Sequence, residues 1–406
     1  MTTTIAVQTT AVQTAPASKY HHAIGYLRAF IVALVVAHHA ALAYYPLPLL
    51  PPASLVDQPR WWGAFPVLDS HKWTGFALFA GFNDVFFMSL MFFLSGLFVW
   101  HGLEKKGAAK FLRDRLLRLG LPFVVAAAVL APLAYYPTYL QMSRHDGIAG
   151  YWHQWLSLGN WPAGPGWFLW VLLAFDGIAA LLFVLAPRWG QALGALTAGA
   201  ARRPVVFFAA LATISALVYI PMAIHFTSLA WTAFGPFTFQ TSRILHYLAY
   251  FLIAVGVGAY GVDRGLLAPD GKLARRWPLW VAAALVIFAA ATVVTLIALA
   301  TGSQSQGLAI VTDAGFVLSC AASCFAFLAL FLRFARSGSR LFDSLSANSY
   351  GIYLVHYAFV NWLQYALLPA SLPAVVKWAI VFAGALLLSW GTVASMRRIP
   401  AITRVV

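Results

Sequence analysis

The chain has 406 residues, of which 62% are hydrophobic, 16% aromatic and only 9% charged, where a soluble chain carries about a quarter charged residues. A soluble globular enzyme is thereby excluded, and lipid is the solvent for most of the surface. The net charge of +15 is spread over short connectors with no basic arm or aromatic-basic module, which argues against nucleic acid and for anionic lipid headgroups or a phosphorylated ligand.

Apolar stretches of roughly 20 to 26 residues recur along the whole length, each enough to cross a hydrocarbon core of about 30 Å. The expected fold is an all-α integral membrane protein of about ten transmembrane helices. Residues 1–18, rich in Thr, Ala and Gln, lack the basic start and cleavage pattern of a secretory signal and read as a disordered tail. Residues 19–398 form the transmembrane domain and 399–406 a short second tail. The predicted spans are Ile24 to Leu42, Gly75 to Trp100, Leu119 to Leu140, Gly166 to Leu185, Val205 to Phe226, Gln240 to Tyr260, Trp277 to Ala300, Gly307 to Leu332, Ser349 to Leu368 and Ala374 to Met396.

Basic residues are retained on the cytoplasmic side of a membrane. The first tail and the connectors after even-numbered spans hold twenty of the 26 Lys and Arg residues. The connectors after odd-numbered spans hold only Arg60, Lys72, Arg144, Arg243 and Lys377. Both termini are therefore expected in the cytoplasm. The opposite connectors, Tyr44 to Trp73 and Gln141 to Trp167, are long and rich in Trp, Tyr, Pro, Gln and Asn, which suits either an interfacial aromatic belt or a sugar face. Pro46, Pro48, Pro51 and Pro52 predict an irregular segment after the first span rather than another helix.

Ionisable groups in hydrocarbon are functional candidates by default. The first span holds Arg28, His38 and His39. Arg28 and His39 are eleven residues apart, about 20° from a common helix face and about 16 Å apart in depth, while His38 points about 100° away. In the second span Asp84 lies at a depth similar to His39, either orienting that imidazole, pairing with a group near the outer face or lying near an external water funnel. Ser95 and Gly96 form a small pair that admits close approach of another helix or of a slender acyl chain. The connector that follows carries Lys105, Lys106, Lys110, Arg113, Arg115 and Arg118; Arg115 and Arg118, three apart, share one helical face and could grip a phosphate. Asp176 in the fourth span is open between ion pairing, acceptor binding and proton relay. Cys320 and Cys324 are too few for a metal or disulfide framework and read as packing residues; no metal is expected. In the ninth span Tyr350, Tyr353 and His356 or Tyr357 repeat at helical spacing as a polar-tipped stripe.

These segments resemble the membrane-bound acyltransferase 3 family. The resemblance rests on Tyr26 to Phe30 with His39, an Arg and a His separated by ten residues; on Phe92 to Phe98 around Ser95 and Gly96; and on Arg115 to Pro122. It continues in Gly166-Trp167-Phe168-Leu169 and in Ser349 to His356, in family order over nearly the whole chain. The Met88 to Gly96 stretch is most similar to the branch that includes periplasmic glucan-modifying transferases. One departure is Ser89, which stands where many sugar acetyltransferases of the family have an Asp. No SGNH-type hydrolase domain follows the tenth span, so a stand-alone transferase is expected.

The resemblance implies O-acylation in a bacterial inner membrane: an acyl group, acetyl or succinyl or longer, passes from cytoplasmic acyl-CoA to a hydroxyl of an extracytoplasmic glycan or related acceptor. Acyl-CoA is then a co-substrate, and no tightly bound cofactor is expected. In that scheme His39 is general base or acyl carrier, and Arg28 orients the donor. Arg115 and Arg118, with Ser95 and Gly96, bind it, while Asp84, Asp176, Trp167, Tyr353 and His356 are possible lining. The rival reading is a proton-coupled transporter or flippase of a lipid-linked or small amphipathic solute, and a third is a structural envelope subunit; oligomeric state stays open.

Overall fold

The computed structural model describes residues 19–47, 53–57, 59–142, 146–200, 202–302 and 305–405. The tail expected over residues 1–18, three of the connector prolines (Pro48, Pro51, Pro52) and Arg144 lie outside the described residues. The helices in chain order are α1 (Lys19–Leu42), α2 (Pro59–Ala64), α3 (Gly75–Gly96), α4 (Val99–Lys106), α5 (Ala108–Arg115), α6 (Leu121–Val125), α7 (Ala131–Gln141), α8 (Gly147–Leu156) and α9 (Trp167–Leu185). They continue as α10 (Trp189–Thr197), α11 (Pro204–Phe226), α12 (Ile244–Tyr260), α13 (Lys272–Arg275), α14 (Trp277–Thr301), α15 (Gln306–Phe334), α16 (Arg340–Ala366) and α17 (Ala374–Met396). Among the described residues the only strands are β1 (Trp231–Phe234) and β2 (Phe237–Gln240), one small antiparallel hairpin before α12.

Nine helical segments among the described residues are long and apolar enough to cross a membrane. The tenth expected span is α16. Its 27 residues are long enough at about 1.5 Å each, but its Asn, Gln, His and Tyr residues dilute the hydropathy. They are affordable because α1, α7 and α17 pack around it. By contrast α14 keeps an apolar face outward, burying only Trp280 and Ala284.

The helix that carries the third span starts well before Leu119. α4 and α5 are joined at Gly107, whose φ of 72° falls where a side chain is disfavoured, and the segment from Val99 to Gln141 is helical through the charged connector into the apolar part of the span. The basic connector is thus helical. Two π-helical turns, Leu116–Gly120 and Ala126–Leu130, interrupt the helix between α5 and α7. Such turns recur at functional sites.

Glycines set the tightest helix contacts. A Cβ on Gly96 would strike the carbonyl of Phe251 in α12, and one on Gly258 would strike the carbonyl of Leu97. With no hydrophobic drive between helices in lipid, close backbone approach of this kind holds the bundle together.

The aromatic connectors fold into a cap. Pro46 lies in irregular backbone, as expected after the first span, and the short helix α2 begins beyond the four prolines with Pro59 in its first turn, a position proline tolerates. Trp62, Tyr135, Tyr139, Tyr151 and Trp155 form a buried cluster. Their faces are spent on one another, whereas Trp73 and Trp152 stay exposed. Gln141 pins the connector by accepting from Leu68 N at 3.0 Å and donating to Leu68 O at 2.5 Å, and Gln154 accepts from Leu55 N at 2.9 Å.

Lys377, in the first turn of α17, meets Asp69 of the first connector at 2.6 Å, with the two side chains 0% and 1% exposed. The partly exposed His71 lies 3.1 Å from the other Asp69 oxygen. Removing one partner of such a pair leaves an uncompensated buried charge, at a cost of about 3–5 kcal/mol. Lys377→Met is expected to lower thermal stability in detergent and to open the 53–74 connector to protease. The double variant Lys377→Met with Asp69→Leu should recover most of the loss.

Candidate active site

The centre of the bundle joins α1 to α16 through two imidazoles. His39 Nδ1 lies 3.0 Å from His356 Nε2, and His356 Nδ1 lies 2.7 Å from the Tyr353 carbonyl. A carbonyl only accepts, so His356 carries its proton on Nδ1. In the neutral pair its Nε2 is then the acceptor, and His39 must donate from Nδ1. Nε2 of His39 is left with the lone pair, in the state a general base or nucleophile needs.

The rest of α16 holds this pair in place. Gln364 donates its amide to the carbonyls of His39 and Ala40, at 3.0 and 3.1 Å. Tyr357 sets its ring edge-on at 5.0 Å from His39, and its hydroxyl converges with that of Tyr135 on the Gly63 carbonyl at 3.3 and 2.9 Å. Tyr353 donates to the Pro165 carbonyl at 2.5 Å and packs on Phe168. His38 faces α3 instead. It sits 5.3 Å from the Phe87 ring, and its Nδ1 is buried with no hydrogen-bond partner among the described residues.

A second group of charges gathers at the other end of α1. Arg115 Nε stands 3.2 Å from Asp176, which is 1% exposed, and the Arg115 guanidinium lies 5.0 Å from the Phe111 ring centroid. Arg28 is half-buried and within electrostatic range of Arg115. Among the described residues no carboxylate forms an ion pair with Arg28. Arg118 sits in the first π-helical turn, exposed, and its carbonyl accepts from Tyr350. The common face expected of Arg115 and Arg118 on a regular helix is altered by that wider turn. Arg115 points into the bundle towards α9 and Arg118 remains outside.

The family model for the acyltransferase domain of acyltransferase 3 proteins matches residues 21–394. The chain belongs to the acyltransferase 3 family. Comparison with curated proteins and with solved structures gives no match.

Within this acyltransferase the remaining sequence candidates lie apart from the histidine pair. Asp84 is bound to Arg243, with 2.7 Å between Oδ2 and Nη2 and a second bond from Nη1 to the Asp84 carbonyl at 3.0 Å. Arg243 also lies over Phe316. Of the roles open to Asp84, pairing with a cation is the one seen. Ser95 donates back to Met91 O at 2.8 Å and Gly96 meets α12, so this pair serves helix packing here. Trp167 packs against Tyr247, Trp231 and Phe168, one residue away from the Phe168 that touches Tyr353.

Sequence reasoning treated His356 as lining and did not pair it with His39, and it overlooked His246. That ring is fully buried in α12, with Ser215 at 2.6 Å, Ser89 at 3.0 Å and Cys320 at 3.5 Å. A lone histidine in the apolar sixth span was the available signal. Cys320 and Cys324 are buried free thiols, with Cys320 drawn into the His246 cluster rather than serving packing alone.

Proposed function

We propose that this acyltransferase moves an acyl group from cytoplasmic acyl-CoA to a hydroxyl of an extracytoplasmic glycan, with the basic connectors and both termini on the cytoplasmic side. The observation that carries the proposal is the hydrogen-bonded chain from the Tyr353 carbonyl through His356 to His39, which leaves His39 Nε2 unprotonated in the middle of the bundle.

In this reading the CoA phosphates dock on Arg118 and on the outward edge of Arg115, with Arg28 along the path of the pantetheine. His39 Nε2 takes the proton of the acceptor hydroxyl as its oxygen attacks the thioester carbonyl. The C–S bond then breaks, and the imidazolium returns its proton to the departing thiolate. His356 stays neutral throughout and accepts the Nδ1–H of His39, which strengthens as positive charge develops on that ring. The one-sided distribution of basic connectors and the branch resemblance in Met88 to Gly96 support the donor side and the glycan acceptor.

Incubating the purified chain with acetyl-CoA and an envelope glycan, and following both free thiol and glycan ester, tests the proposal. Thiol and ester are expected to appear in equal amounts; no transfer to any hydroxyl acceptor would overturn it. Charge-assisted bonds contribute about 1.5–3 kcal/mol each, so Arg118→Gln is expected to raise the donor KM by about 10- to 100-fold with little change in acceptor KM. Arg115→Gln should be paired with Asp176→Asn, because Asp176 would otherwise be left buried and unpaired.

A further inference from the structure

We propose that the crevice between α16 and the second π-helical turn holds the acyl group of the donor thioester and admits only a short, uncharged one. The inference rests on the acyl-transfer reading above and deepens it. The crevice is walled by Ala126, Leu130, Ala131, Ala163, Gly166 and the ring of Tyr357, with Tyr353 beside them.

Three features select the occupant. First, the crevice is one ring away from the reacting nitrogen, since Tyr357 lies edge-on at 5.0 Å from His39 and 6.2 Å from His356. Two parts of a thioester lie that close to the attacked carbonyl, its acyl chain and its sulfur, and the sulfur must lead back along the pantetheine towards Arg28, which leaves the crevice to the acyl chain. Second, its polar tips are committed elsewhere. Tyr353 donates to Pro165 O and Tyr357 to Gly63 O, and no charged side chain lines the walls. A succinyl carboxylate would be stranded there without a counter-ion, whereas a methyl group loses nothing.

Third, the walls are small and fixed. Four alanines and a glycine leave a narrow slot, with Leu130 among its walls. The Trp161 indole donates to Ala127 O in the π-helical turn at 2.7 Å, tying the segment that carries Ala163 and Gly166 to the opposite wall. The wider turn therefore sets the slot's dimensions, and the side chain at position 130 sets its length.

The test compares acetyl-, butyryl- and succinyl-CoA as donors for the purified full chain in lipid nanodiscs. A methylene that does not fit a pocket is worth about 10- to 200-fold in specificity. The wild type is expected to prefer acetyl over butyryl and succinyl by at least about 10-fold in kcat/KM. Leu130→Ala should gain butyryl transfer, an increase that misfolding cannot produce. Ala163→Leu should lose acetyl transfer while still binding acyl-free CoA. Unchanged donor selectivity in Leu130→Ala, or a wild type that prefers succinyl, would overturn the crevice assignment while leaving acyl transfer itself intact. Failure of the wild type to use any of the three donors would instead overturn the functional reading together with the crevice.

Discussion

Replacing His39 with alanine is expected to abolish ester formation on envelope glycans in cells, read by mass spectrometry, with the chain still expressed and inserted. General-base catalysis contributes about 10²- to 10⁴-fold, and no second ring on α1 can substitute. His38 is one residue away but turned towards Phe87. His38→Ala should therefore cost less than about 10-fold, the scale of a packing defect rather than of a lost base. Equal losses in the two variants would mean that the pairing of His39 with His356 does not select the base.

The second large effect is expected at His356, a positioning residue that acts through His39. Without an acceptor at its Nε2, His39 can adopt the other tautomer and present a protonated nitrogen to the acceptor hydroxyl. His356→Leu should lower kcat by about 10- to 100-fold, less than loss of the base itself, with the donor KM unchanged. His356→Gln offers an amide oxygen as a replacement acceptor and should recover part of the rate. A purely structural role predicts instead that both variants fall together and lose thermal stability in parallel.

Hydropathy made the fold legible because a bilayer imposes one dominant constraint, that of segment length. The resemblance read from Arg28, His39 and Ser349 to His356 agrees with the match to residues 21–394. What these arguments convey is depth. They do not convey which helices are neighbours, so Arg115 with Asp176 and Arg243 with Asp84 emerge only from the packed bundle. The face expected of Arg115 and Arg118 assumed 3.6 residues per turn, and the π-helical turn at Leu116–Gly120 breaks that assumption.

The aromatic connectors show the opposite case. Trp62, Tyr151 and Trp155 suited a sugar face or a membrane belt by composition, yet they are buried against one another and against Tyr135 and Tyr139 of α7. Their polar tips find backbone partners such as Leu55 O for Trp62 and Pro132 O for Tyr151. Aromatic side chains with one apolar body and one polar tip can serve all three purposes, and only tertiary structure distinguishes among them.

The most direct test of the central claim is transfer of an isotopically labelled acyl group from its CoA thioester by purified wild-type and His39→Ala protein, with label counted on the hydroxyl acceptor. Labelled ester from the wild type, and at least about 100-fold less from His39→Ala, is the expected result. Equal label on the acceptor with both proteins would contradict the assignment of His39 as the residue that carries the reaction.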